Sequence, residues 1–543
     1  METRFVTTGG YDDQRPGTAG LRKKVKVFQQ PGYLECFLQA VFDAAGPFDG
    51  KTLVAGGDGR YFNREALQVL AAMAAANGVD RLIVGRGGLL STPAASNLVR
   101  QRGADGGFIL SASHNPGGPD GDFGVKFNTA NGGQASESLM ADVYRASRAL
   151  EGYRTMDLGP VDFDQPGERD YGPLTVEVVD PVSDYAALME RLFDFDAIRD
   201  LLSGGGFRMR FDGMHAITGP YATEILERRL GAPAGTVVNG HPLEDFGGGH
   251  PDPNPVDAAE LVAYMNGPGA PDFAAASDGD GDRNMIVGRG LVVSPGDSLA
   301  VIAANHALVP GYRAGLAGVA RSMPTSRAVD RVAQALDVPC YETPTGWRYF
   351  CNLLDAGRID LCGEESFGTS SSHAREKDGL WAVLYWLNLL AATRRGVGDI
   401  VVDHWARFGR NVFTRHDYFI PDADRGQAVM GQLQARLGDL AGASSAGRRI
   451  ERADSFTYHD PVDGSESPNQ GIRVFLDDDS RIVYRLSGTG TAGATLRVYL
   501  ERVLSGPAAA GDAAELTATL GALARELASV ESITGLDAPT GII

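Results

Sequence analysis

Cysteine, histidine and tryptophan are scarce in this sequence, at 4, 9 and 4 of 543 residues. The cysteines (Cys36, Cys340, Cys351 and Cys362) form no CxxC pair. This argues against a zinc site or a disulfide framework, and for free thiols in a reducing compartment. Long apolar runs are missing too. The longest, Leu380 to Ala392, is too short to cross a bilayer and contains Asn388, so it reads as a buried helix. The opening METRFVTTGGYDDQ has no apolar leader segment, and a cytoplasmic location is expected. Positive charge is also short: 50 Lys and Arg stand against 69 Asp and Glu, a formal net charge of −19. Such a chain is a poor partner for nucleic acid or an anionic membrane. It suits a phosphorylated substrate only where cations are concentrated locally.

What is abundant is glycine, with 71 residues, in a chain long enough for three or four domains. Apolar β-branched runs such as KTLVAGGD, RLIVGRGG and GGFILSAS alternate with helical stretches such as Asn63 to Asn77. That order predicts parallel sheets with ligands at the carboxyl ends of the strands. Segments ending in VAGGD (54–58), MRFDG (209–213) and GLAGVA (315–320) are each followed by a helical run, a weak repeat of three α/β units. Beyond about residue 405 short aromatic and β-branched segments cluster apart from two helical patterns, 424–439 and 512–530, which predicts an α+β unit.

Five segments carry chemistry. SASHNPGGPDGDFGVKFN (111–128) leaves a strand and offers Ser111 or Ser113 as a phosphoryl acceptor, with His114 and Lys126 nearby; a plain Ser/Asn/Pro/Gly turn is the other reading. SDGDGDRNMIVG brings Asp278, Asp280 and Asp282 together, hard ligands for Mg²⁺ or Ca²⁺, with Arg283 placed for a phosphate. Arg283 and Arg289 stand where an EF-hand requires Gly and Glu, so that motif fails; an Asp/Gly surface turn is the rival. RIVYRLSGTGTAGATLRVYLE contains GxGxxG, but a strand-like run follows where the dinucleotide fingerprint requires a helix. Ala494 also replaces the lysine of a P-loop. A phosphate nest flanked by Arg485 and Arg497 remains, or a Gly-rich hairpin turn. CGEESFGTSSSHAREKDG (362–379) places Glu364 and Ser366 among groups that suit sugar hydroxyls, with His373, Arg375 and Lys377 adding cations. TPTGWRYF (343–350) offers Trp347 to a sugar face; a capped helix start and a partly buried aromatic are the alternatives for these two segments. RPGTAGLRKKVKVF (15–28) is a basic run without an acid, and reads equally as a solvated face.

Taken together and in order over nearly the whole chain, these segments resemble the α-D-phosphohexomutase superfamily and, within it, the eukaryotic-type α-phosphoglucomutases. The resemblance implies three related α/β domains, 1–182, 183–296 and 297–408, and an α+β phosphate-binding domain, 409–543, around a central cleft. It implies reversible interconversion of α-D-glucose 1-phosphate and glucose 6-phosphate, an isomerase reaction that passes through a phosphoserine enzyme and glucose 1,6-bisphosphate. Ser113 would carry the phosphoryl group and, with Asp278, Asp280 and Asp282, hold Mg²⁺. His114, Lys126, Arg283 and Lys377 are the implied groups for proton transfer and charge stabilisation. Thr18, Arg22, Thr345, Gly346, Trp347, Glu364, Ser366 and Arg375 are implied as substrate contacts, and Ser487, Gly488, Thr489, Gly490 and Arg497 as a distal phosphate clamp. Small sugar phosphates are the expected partners, with no nucleic acid or membrane, and a monomer is expected ahead of a dimer. Ser111 is one departure, since close relatives often have Thr there. Three rivals stay open: a mutase preferring mannose or N-acetylglucosamine phosphates, a serine phosphomonoesterase, and a non-catalytic scaffold descended from the mutases.

Overall fold

In a computed structural model the chain is described at every residue except Met1, Thr18, Ala446, Gly447, Thr491 and Ala492. Three α/β units precede a C-terminal unit built on its own antiparallel sheet. The first sheet orders its strands as 21–24, 122–129, 106–110, 52–57, 81–89, 174–179 and 167–171. Its centre is parallel and both faces are covered. Leu53, Ala55, Leu82, Val84, Phe108 and Leu110 pack under the helices Tyr33–Ala45 and Asn63–Ala76. Val54, Ile83 and Ile109 face the helix Thr92–Arg102. Continuous apolar runs are what a strand buried on both faces requires.

The second sheet (237–238, 209–212, 273–277, 284–288, 291–293) and the third (340–343, 319–322, 361–364, 368–371) repeat one device. In each of the three sheets a parallel strand is followed by an antiparallel return: 106–110 by 122–129, 273–277 by 284–288, 361–364 by 368–371. The loops at these returns, 111–121, 278–283 and 365–367, carry three of the five chemical segments. The repeat expected from the sequence is also present, since strands 52–57, 209–212 and 319–322 each lead into a helix, at 63–76, 218–222 and 328–336. Its third strand runs Val319–Ser322, a few residues beyond the expected 315–320, because Gly318 still belongs to the approach. A single apolar cluster runs through all three units, from Val54 and Ile109 through Phe211 and Ile286 to Val319 and Leu361. At its heart lies the helix Gly379–Thr393, buried from Gly379 to Ala391. This is the apolar run that was too short for a membrane, and no helix among the described residues is long and apolar enough to cross one.

The C-terminal sheet pairs Arg410–Ile420, Arg481–Gly490 and Gly493–Leu504. Tyr484, Leu496, Val498 and Leu500 pack with the helices Ala423–Leu440 and Ala513–Leu527. Alternation sends Arg485, Arg497 and Tyr499 to the opposite face, where Tyr499 meets the third unit at Glu365.

Candidate active site

Ser113 lies on the first of the three return loops, buried, at a φ of +54°. A serine in the left-handed region is sparsely populated and persists only where its surroundings fix it. Here Asp58 and Arg60 do so. Arg60, fully buried beside Asp58, donates to the Ser113 carbonyl at 2.5 Å and the Asp122 carbonyl at 2.9 Å. Asp58 accepts from Ser111 Oγ at 2.5 Å, and Ser111 Oγ accepts the Ser113 N–H at 2.7 Å. Burial pushes the Asp58 carboxyl up even with Arg60 beside it. Sequence reasoning missed this pair, although GGDGR follows a parallel strand, the position that holds the candidate site residues in the other loops.

The second loop meets the first directly. Ser113 Oγ donates to Asp278 Oδ2 at 2.9 Å. Asp278 Oδ1 accepts the Asp282 and Arg283 N–H groups at 2.8 and 3.0 Å. Gly279 passes so close to the serine that a Cβ there would stand 2.3 Å from the Ser113 carbonyl oxygen. Asp280 sits at the start of the helix Thr92–Arg102, where Thr92 Oγ1 donates to it at 2.5 Å and Lys126 pairs with it. That end of a helix favours a carboxylate. Burial works against the Asp280 charge, but Lys126 and Thr92 outweigh it and hold its carboxyl below the usual range. Asp278 goes the other way: burial, then Asp282 and Asp280, push it well up.

Whether a cation fits is decided by the donor set. One oxygen from each of Asp278, Asp280 and Asp282 lies within 4.8 Å of the others, all three residues are buried, and Asp280 Oδ1 has no hydrogen-bond partner. Three converging buried carboxylates with an unpartnered oxygen suit a hard divalent ion. A solvated Asp/Gly turn does not describe them.

Cations surround this centre. Lys126 lies 3.8 Å and Lys377 3.2 Å from Asp282. Lys126 is buried; its carboxylate neighbours overcome burial and favour its charged form. Arg283 pairs with Asp252 at 2.9 Å, an acid that sequence reasoning also missed. Arg22 stands on the strand Leu21–Lys24, opposite Gly124, and burial lowers it despite Asp280 and Asp282. His114 Nδ1 is 3.5 Å from Ser113 Oγ. Burial, then Arg283, Arg22 and Lys377, depress its imidazole well below the ordinary value, so it is neutral near pH 7.

On the third loop Glu364 is buried and accepts the Gly346 N–H at 2.9 Å, which ties it to the segment 343–350. Burial pushes its carboxyl up. Ser366 is half-buried beside it. Thr345 lines a cavity of about 350 Å³ between the first, third and C-terminal units, with Arg15, Arg348, Tyr349 and Arg485. Two expectations need correction. The Trp347 ring is not offered to a ligand; it packs edge-on against Phe350 in a cluster with Leu353 and Cys362. Arg375 does not join the central cations, since its guanidinium is held by Asp355 at 2.5 Å and by the carbonyls of Ser372 and Ala374.

In the C-terminal unit Arg485 faces Arg497 across two strands, with Ser487 opposite Thr495 and a register shift between Ser487 and Gly490. Gly488, Thr489 and Gly490 form the end of the strand Arg481–Gly490, so the segment is a hairpin and not the start of a helix. Burial opposes the Arg497 charge, and Tyr499, Asp417 and Glu365 sustain it. Thr18, expected as a substrate contact, lies outside the described residues.

Comparison with known proteins matches four family models along the chain. These are phosphoglucomutase/phosphomannomutase α/β/α domain I over residues 13–154, domain II over 183–290, domain III over 295–408, and the phosphoglucomutase-1 C-terminal domain over 410–540. The chain is 56% identical to a phosphoglucomutase of Rhizobium radiobacter, covering 99% of this chain and 98% of that one. It is 50% identical to phosphoglucomutase-1 of Oryctolagus cuniculus, covering 99% of each. The crystal structure of Paramecium pp63/parafusin, a phosphoglucomutase in an open form, superposes with a TM-score of 0.92 at 44% identity, covering 100% of this chain and 99% of that one.

Proposed function

Because the chain belongs to the phosphoglucomutase/phosphomannomutase family, we propose that it interconverts α-D-glucose 1-phosphate and glucose 6-phosphate, with Ser113 as the phosphoryl carrier. The observation that carries this reading is the Ser113 Oγ–Asp278 Oδ2 contact of 2.9 Å at a centre ringed by Lys126, Lys377, Arg283 and His114. In the forward half-reaction the free hydroxyl of the bound monophosphate attacks the phosphorus carried by Ser113. The new O–P bond forms as the Ser113 Oγ–P bond breaks, giving glucose 1,6-bisphosphate. The attacking hydroxyl gives up its proton to a base and the departing Oγ regains one. Neutral His114 suits the first task; Lys126, held charged, suits charge stabilisation and proton return. Once the bisphosphate has turned over in the cleft, its other phosphoryl group returns to Ser113.

Asp278, Asp280, Asp282 and an oxygen on Ser113 would hold Mg²⁺, which when bound supplies positive charge to the phosphoryl oxygens. Glu364, Ser366 and Gly346 would read the sugar hydroxyls; Ser487 to Gly490 with Arg497, and Arg485 beside it, would hold the distal phosphate. The division at 182/183, 296/297 and 408/409 is proposed on the ground that each sheet draws all its strands from one span. A cytoplasmic setting is supported by four free cysteines; a monomer is proposed from the resemblance alone.

A coupled assay comparing glucose, mannose and N-acetylglucosamine 1-phosphates, with glucose 1,6-bisphosphate present, tests the reading. Glucose 1-phosphate should be preferred, with no net release of inorganic phosphate. Steady phosphate release would point to a phosphomonoesterase, and a preference for either other sugar would displace glucose as the substrate.

A further inference from the structure

Four consecutive residues, Glu376 to Gly379, tie the first unit, the metal loop and the buried central helix together. Glu376 accepts from the side-chain amides of Asn128 and Gln134, both at 3.0 Å, on the first unit. Lys377 Nζ lies 3.2 Å from Asp282 on the metal loop. Asp378 Oδ1 accepts from the Tyr185 hydroxyl at 2.7 Å and from the Trp381 N–H at 3.0 Å, where it caps the central helix. The Gly379 N–H donates to the Gly281 carbonyl at 3.1 Å, and a Cβ at Gly379 would stand 2.0 Å from the Arg283 carbonyl oxygen. Only Lys377 of these four has a part in the reaction proposed above.

The other oxygen of Asp378 leads into a network that the reaction does not use. Asp378 Oδ2 is 2.9 Å from His373 Nε2, and both side chains are buried. His373 Nδ1 is 2.6 Å from Ser371 Oγ, which is 2.6 Å from the Tyr312 hydroxyl, which accepts from Trp381 Nε1 at 2.8 Å. The His373 ring also stacks on Trp381, with an interplanar angle of 16°. Serine, histidine and aspartate in this order look like a nucleophilic triad, yet Ser371 is 0% exposed and no substrate reaches it. A buried polar network whose members satisfy one another does a different task, which is to hold the backbone in one arrangement.

We propose that Asp378, locked by Tyr185 and His373, is a positioning residue that holds Lys377 against the metal loop. The inference rests on Lys377 acting in phosphoryl transfer. Lysine has a long flexible stem, and fixing its ammonium in one place costs conformational entropy. Fixing the next residue on both carboxylate oxygens removes the backbone share of that freedom before substrate arrives, which is where misplacement by a fraction of an ångström is felt as rate.

The test is a double-mutant cycle on the full chain. His373→Phe keeps a ring on Trp381 but leaves Asp378 Oδ2 without its partner; Tyr185→Phe removes a single hydroxyl. Each is assayed for kcat and for KM on glucose 1-phosphate, alone and combined with Lys377→Met, with the thermal midpoint followed in parallel. Each single variant should lose about tenfold in kcat with KM within about twofold. Neither should cost anything further once Lys377 is Met. Full kcat in Tyr185→Phe, the gentler variant, would overturn the proposal. So would equal fold-losses with and without Lys377, the mark of a general structural role. Normal kcat in Lys377→Met alone would instead remove Lys377 from the reaction, and the inference with it.

Discussion

Ser113 Oγ donates to Asp278 Oδ2 at 2.9 Å, although 165 residues of sequence separate the two. Both stand on loops where a parallel strand turns into an antiparallel return, one in the first sheet and one in the second. The bond joins the candidate nucleophile to the candidate metal centre in a single contact.

Ser113→Ala removes that oxygen and little else. The Ser113 N–H and carbonyl, which hold the loop to Ser111 and Arg60, are backbone groups and survive the change. Mutase turnover should disappear while the thermal midpoint and glucose-phosphate binding stay near wild type. Near-normal turnover would end the assignment of Ser113.

Chelation bears on the three aspartates. EDTA should abolish turnover and added Mg²⁺ should restore it. Asp280→Asn should raise the Mg²⁺ needed for half-maximal activity, because it replaces a carboxylate that has one oxygen unpartnered. Turnover indifferent to EDTA would count against a metal at 278–282.

Arg60→Met tests the brace under the serine. Arg60 and Asp58 are a fully buried ion pair, and losing one partner of such a pair costs about 3–5 kcal/mol. The thermal midpoint and kcat should therefore fall together. A variant of unchanged stability would show that Asp58 finds another partner.

Glu501 concerns stability in acid. It accepts from Arg481 Nε at 3.0 Å, from the Arg327 N–H at 2.6 Å and from Asn411 at 2.7 Å, at the junction of the third and C-terminal units. Burial alone would raise its carboxyl, but Arg481 and Arg327 hold it far below the ordinary 4.5. A depressed carboxyl contributes stability above its unfolded value and loses it as pH falls through the folded one. Glu501→Gln should therefore lower the urea midpoint clearly at pH 7, and the gap to wild type should narrow below about pH 4.5. A gap that widens towards acid would reverse the sign of the argument.

Much of this was legible in the residues themselves. The α/β alternation, the antiparallel hairpin in place of a nucleotide-binding helix, and the three carboxylates at alternate positions all followed from local pattern. Trp347 was not legible, because an aromatic after a Gly reads alike whether its ring faces a sugar or packs on Phe350. Arg375 failed for a similar reason: its place in a cationic run says nothing of Asp355, its partner. Asp58 and Arg60 were overlooked because a buried pair two residues apart looks like any charged turn until the Ser113 carbonyl is seen above it.

By itself the sequence determined which ligand-bearing residue types each loop offers and the kind of element it leaves, because strand and turn propensities and side-chain chemistry are properties of short segments. Only the tertiary structure decided which loops meet. Three strands deliver their returns into one cleft because a single apolar cluster fuses the three sheets. Within that cleft Asp280 and Lys126 hold each other charged across 154 positions of sequence, while burial and the adjacent Asp282 and Asp280 push Asp278 the other way.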